Sequence, residues 1–134
     1  MNPGAWIAAA ALLAAVLAGL AWQRGNGRMR ETRGDGPDLA HLGVEPGQVT
    51  LLQFSSAFCT PCRATRALCS DVAGRLDGLT HIEVDAESNL DTVRELNILR
   101  TPTVLIVDRS GRIVRRASGQ PTRAQLMAAV SALL

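Results

Sequence analysis

The 134-residue sequence predicts an α/β fold, a mixed sheet flanked by helices and preceded by one N-terminal transmembrane helix. Three observations lead there. The first is an uncharged apolar run from Ala5 to Trp22, followed by a polar, Gly-rich stretch. The second is the pattern beyond residue 38, where short apolar runs alternate with segments of helical period in the order β-α-β-α-β-β-α. The third is Cys59-Thr60-Pro61-Cys62, placed where one apolar run gives way to a helical segment. Two cysteines at this spacing, on a strand–turn–helix, read as a thiol–disulfide redox pair.

The run 5–22 is mostly Ala and Leu, and as a helix it spans roughly 27 Å, close to the hydrocarbon thickness of a bilayer. Trp6 and Trp22 sit at its two ends, where amphipathic rings favour the interface. A cleaved signal peptide is the rival reading. It calls for basic residues ahead of the apolar run, whereas residues 1–4 carry no charged side chain. The basic residues come after it, as Arg24, Arg28, Arg30 and Arg33. The positive-inside rule then puts the domain in the cytoplasm of a single-pass cell-membrane protein, with an extracytoplasmic domain as the alternative. Residues 1–22 are therefore read as the anchor, 23–38 as a flexible Arg/Gly-rich linker, and 39–134 as one small domain.

Within the domain, 38–42 is a short lead-in helix or strand. Val49–Phe54 is short, apolar and preceded by Glu45-Pro46-Gly47, so it reads as a buried strand. Pro61–Leu76 has its apolar residues near the 3.6 period, and Pro61 is tolerated in a first turn that needs no N–H donor there. His81–Asp85 alternates as a strand, and Ser88 or Asn89 can cap a helix ending at Leu96 or Ile98. Thr103–Asp108 and Arg112–Ala117 form a hairpin about Arg109-Ser110-Gly111. The last helix follows Thr122 as its cap, with Leu126, Met127, Val130 and Leu133 along one stripe.

Composition excludes some functions. The formal net charge is +2 and aromatics are 3% of residues, which gives neither the electrostatic footprint nor the stacking platforms of a nucleic-acid binder. Three cysteines do not make a disulfide-stapled secreted scaffold. Two other readings of the pair stay open: incidental core thiols, and a zinc site drawing on Cys59, Cys62, Cys69 and His41 or His81. Cys69, two turns beyond Cys62, reads as a small core hydrophobe, with a regulatory thiol as the alternative. His81 reads as a strand-end histidine, with a proton shuttle as the alternative.

Element order, Phe54, the Phe58-Cys59-Thr60-Pro61-Cys62 run, Val84-Asp85, Arg100-Thr101-Pro102-Thr103 and Gly119 together resemble the thioredoxin family over about residues 48–134. The resemblance implies a redox-active disulfide Cys59–Cys62 and no other cofactor or metal. It implies Cys59 as nucleophile, Cys62 as resolving thiol, and Phe58, Thr60, Pro61, Thr101 and Pro102 as substrate-binding residues. It also implies a cis Thr101–Pro102 bond facing Cys59. At a helix start the Cys59 pKa is expected below the free value of about 8.5.

The sequence also departs from the family pattern. The family's first strand and helix are truncated. Phe58 stands where thioredoxins have Trp, Gln53 where they have a buried Asp, Ala67 where they have a helix proline, and His81 near a family Lys. A neutral amide at Gln53 cannot act as base for Cys62, so resolution of the mixed disulfide is expected to be slow. The implied function is a membrane-tethered reductase of protein disulfides. Its implied partners are those substrates, a thioredoxin-reductase-like or membrane electron donor, and the bilayer through residues 5–22, without nucleic acid. The alternatives are an extracytoplasmic reductant carrier of the cytochrome-maturation type, since anchored thioredoxin-like proteins act there too, and a non-catalytic binding module.

Overall fold

The computed structural model describes residues 2–32 and 36–134; Arg33, read above as one of the basic residues flanking the anchor, lies outside them. A helix, α1, runs Pro3–Gly25 with no buried residue. It is long and apolar enough to cross a membrane, and a signal sequence has the same character. The remaining elements are β1 (Met29–Glu31), a 3-10 turn (Ala40–Leu42), β2 (Val49–Ser55), α2 (Thr60–Arg75), β3 (Leu79–Asp85), α3 (Leu90–Glu95), β4 (Thr103–Val107), β5 (Ile113–Ser118) and α4 (Arg123–Ser131).

The five strands form one mixed sheet in the order β1-β5-β4-β2-β3. Strands β2 and β3 are parallel, joined by α2, while β4 runs antiparallel to β2 and β5 to β4. The centre of the sheet is apolar on both faces because both are covered. Leu52 and Phe54 of β2 with Leu105 and Val107 of β4 pack against Leu39, Val44, Leu96 and Ile98. Val49 and Leu51 with Val104 and Ile106 point the other way, onto Cys69 and Val72 of α2 and Leu126 and Val130 of α4. The period-2 alternation of each strand thus feeds two cores, which is why these strands read as continuous apolar runs.

Within the segment 23–38, expected to be a flexible linker, residues 23–31 depart from that expectation. Helix α1 continues to Gly25, and Met29, Arg30 and Glu31 pair antiparallel with Ala117, Arg116 and Arg115. The free edge of β5 supplies the donors and acceptors, and a tripeptide with two charged residues satisfies them while Met29 packs against the core. Elsewhere the helix ends follow local chemistry. Thr122 caps α4 in a capping box, its Oγ1 accepting from the Gln125 backbone N–H at 3.2 Å while Gln125 Oε1 accepts from the Thr122 N–H at 3.0 Å. Asn89 holds the cap position of α3, but its side chain donates to the Asp85 carbonyl instead of capping the helix.

Candidate functional site

The site is built at one end of the sheet. β2 ends at Ser55, the chain turns through Ser56-Ala57-Phe58, and α2 begins at Thr60 with Cys59 as its N-cap residue in an extended conformation. Pro61 lies in the first turn, where its missing N–H leaves nothing unpaired. Cys59 and Cys62 form a disulfide with Cα atoms 5.2 Å apart. Cys62 is 1% exposed and its N–H donates to the Cys59 carbonyl at 3.2 Å, whereas Cys59 is half-buried and Phe58 fully exposed. One sulfur is therefore reachable from solvent and the other is not. A thiolate at Cys59 would sit at the positive end of a 16-residue helix.

Thr101-Pro102 comes to the same end. Thr103 pairs with Phe54 across β4 and β2, and Thr101 Oγ1 lies 3.1 Å from Ser56 Oγ. The Thr101–Pro102 bond is cis, and the Pro102 carbonyl accepts from the Gly119 N–H at 2.7 Å. Of the expected substrate-binding residues, Phe58, Thr60 and Pro61 are exposed, Thr101 is half-buried and Pro102 is buried.

Behind the disulfide runs a polar chain that the sequence reading did not assemble. Gln53 is fully buried, and its Nε2 donates to the Cys62 carbonyl and to Ser55 Oγ, both at 3.0 Å. Its Oε1 lies 2.9 Å from His81 Nε2, and His81 Nδ1 lies 3.1 Å from Ser70 Oγ on the exposed face of α2. Since Gln53 Oε1 accepts only, His81 Nε2 carries the hydrogen. Burial lowers the His81 pKa; the Glu83 carboxylate opposes this and the Arg66 guanidinium adds to it. Those two charges pair with each other across α2 and β3, Arg66 Nη2 donating to Glu83 Oε1 at 2.7 Å. The signal for this chain was the strand period. In the parallel register His81 lies opposite Leu51 and Glu83 opposite Gln53, so the two side chains share a face.

Cys69 is fully buried in the apolar cluster between α2 and the sheet. Burial first, and the Glu83 charge second, push its pKa up to about 12. His41 hydrogen-bonds Thr92 Oγ1 and the Asp38 carbonyl, both at 3.0 Å, away from the cysteines. Among the described residues no cluster of three or more His, Cys, Asp or Glu side chains forms a candidate metal site.

Residues 43–132 match the family model described as Thioredoxin. A putative thioredoxin H10 from Arabidopsis thaliana is 29% identical over 76 residues, covering 57% of this chain and 49% of that protein. A thioredoxin from Mycobacterium tuberculosis H37Rv is 29% identical over 82 residues, covering 60% of this chain and 70% of that protein. The chain spans about half the length of the plant relatives it matches. The X-ray structure of Fasciola hepatica thioredoxin superposes with a TM-score of 0.59 at 20% identity, over 66% of this chain and 84% of that one, which supports the fold.

Proposed function

This chain belongs to the thioredoxin family, and on that premise we propose that it is a membrane-tethered thiol–disulfide oxidoreductase that reduces protein disulfides through the Cys59–Cys62 pair. The observation that carries the reading is the asymmetry of the pair: a half-buried Cys59 at the start of α2, joined to a buried Cys62. In the reduced form the Cys59 thiolate attacks one sulfur of the substrate disulfide. The substrate S–S bond breaks, a mixed disulfide forms, and the first substrate thiolate leaves and takes up a proton. Cys62, losing its own proton, attacks Cys59 Sγ and displaces the second substrate thiolate, which is protonated in turn. Two electrons and two protons pass to the substrate, and the Cys59–Cys62 disulfide is restored. A dithiol protein, either a thioredoxin-reductase-like enzyme or a membrane electron donor, resets the pair by the reverse exchange.

Phe58, Thr60 and Pro61 form the exposed rim on which a substrate segment lies, and Thr101-Pro102 closes its other side. Pro102 has no N–H to compete for the substrate backbone. Gln53 holds the first turn of α2 through the Cys62 carbonyl, but its neutral amide cannot accept a proton, so the Cys62 proton leaves to water or to the departing substrate thiolate. The helix Pro3–Gly25 tethers this chemistry to the cell membrane, with Arg24, Arg28 and Arg30 favouring a cytoplasmic domain. Insulin reduction by the full chain in detergent tests the activity. Turnover that Cys59→Ser removes is the expected result, and no turnover by the native chain leaves a binding module. A reporter fused after Leu134, active only in the cytoplasm or only when exported, tests the side.

A further inference from the structure

The anchor and the redox pair leave the sheet from the same end. The register runs Met29, Ala117, Val104, Gln53 in one row across β1, β5, β4 and β2, and Gln53 hydrogen-bonds the Cys62 carbonyl. Beyond that row the chain of β1 goes directly into the anchor. Gly27 N–H donates to the Ser118 carbonyl at 2.8 Å, and the Asn26 N–H is held by the Trp22 carbonyl at 3.0 Å. Only Asn26 separates the last helical residue from the docked Gly27. From Trp22, the interfacial ring, to Gly27 is about one to two helical turns, on the order of 7 Å.

The junction is close-packed. A Cβ on Gly27 would lie 2.0 Å from the Gln120 carbonyl oxygen, and one on Gly119 would lie 2.2 Å from Asn26 Oδ1. Both glycines also have positive φ, +73° and +102°, so a side chain there meets backbone strain as well as collision. The next residue-to-residue step, Gly119 N–H to the Pro102 carbonyl at 2.7 Å, reaches the loop beside the disulfide. Laterally, β1 and β2 are three strand spacings apart, roughly 15 Å.

We infer that the tether is a fixed mount and that the site end of the sheet is turned toward the bilayer, so that the partner is a protein disulfide held close to the headgroups, in a surface loop of a membrane protein. This rests on the proposed reading of Pro3–Gly25 as an anchor. The exchange is the one written above, with the membrane-protein disulfide gaining the two electrons and the Cys59–Cys62 dithiol losing them.

The test uses the full chain in lipid vesicles, reduced beforehand with dithiothreitol. Two disulfide-bearing peptides are compared in single turnover, one linked directly to a lipid headgroup and one raised on a fifteen-proline rod, about 45 Å long. A second protein carries ten Gly/Ser residues inserted between Gly25 and Asn26, which keeps β1 and Gly27 in place and frees the mount. The native chain is expected to reduce the headgroup peptide on the order of tenfold faster than the raised one, as differences in local concentration of this kind allow. The insertion is expected to bring the two rates together. Equal rates in the native chain, or a preference that survives the insertion, would overturn the fixed mount. Failure of the native chain to float with the vesicles would instead remove the anchor reading, and the mount with it.

Discussion

Cys62 and Cys69 lie two turns apart on one face of α2, and they are equally buried, 1% and 0% exposed, yet their surroundings give them opposite chemistry. Cys62 is in the first turn, bonded to a half-exposed sulfur, with its carbonyl tied to the Gln53 amide. Cys69 is in the middle of the helix among Val49, Leu51, Val72 and Leu126, where burial pushes its thiol up to about 12. Burial alone therefore does not make a thiol inert or active. What separates them is distance from the helix N-terminus and the presence of a sulfur partner at the surface.

The largest expected effects break the comparison at its reactive end. Cys59→Ser abolishes insulin reduction to background. Cys62→Ser leaves Cys59 able to attack but traps the mixed disulfide, visible as a covalent adduct on a non-reducing gel. Gln53→Asp puts a carboxylate behind Cys62 beside His81. It is expected to speed mixed-disulfide resolution in stopped flow, with about 10²-fold as the scale set by a positioned general base. An unchanged rate would show that the proton path does not limit resolution.

Next in size is stability. Gln53→Ala leaves the Cys62 carbonyl and His81 Nε2 without their partner, and a loss of about 1–3 kcal/mol in chemical denaturation is the expected cost of such buried polar groups. Cys69→Ala removes one sulfur from the apolar cluster and is expected to cost on the order of 1 kcal/mol while leaving reductase turnover unchanged. A large fall in turnover there would make Cys69 part of the redox chemistry and erase the contrast.

The smallest effect is a pH dependence. The folded-state pKa of His81 is lowered from its ordinary 6.5 by burial, so between that lowered value and 6.5 the unfolded chain binds more protons than the folded one. Stability from this group is complete above about 6.5 and falls as pH drops through that window. His81→Gln is expected to flatten the fall, measured as urea midpoints at several pH values, with the Arg66–Glu83 pair left intact. A slope unchanged by the substitution would mean that Ser70 and Gln53 hold the ring equally well when charged.

Much of this was legible in the chain because the signals were local. The Thr122 cap, Pro61 in a first turn, the Arg109-Ser110-Gly111 turn and the apolar runs of β2 and β4 each declare themselves within a few residues. The cysteine pair was legible from its spacing on those elements, and Thr101-Pro102 from the resemblance to the thioredoxin family. What was not legible depended on partners remote in sequence. Met29-Arg30-Glu31 has no strand pattern of its own and is ordered by the open edge of β5. The Gln53–His81 contact needs the parallel register of β2 and β3, which no local pattern gives. Strand β3 begins at Leu79, ahead of the expected His81, because pairing with Val49 extends it.

The contrast between the thiols is tested most directly by their alkylation rates. The reduced full chain, in detergent, is pulsed with iodoacetamide across pH 5 to 10, and each cysteine is resolved by peptide mass mapping. Cys59 is expected to react first, with an apparent pKa below about 8.5, Cys62 more slowly, and Cys69 only after denaturation. Labelling of Cys69 in the folded protein at the rate of Cys59, or a Cys59 that titrates at or above the free value, would contradict the assignment of reactivity to the start of α2.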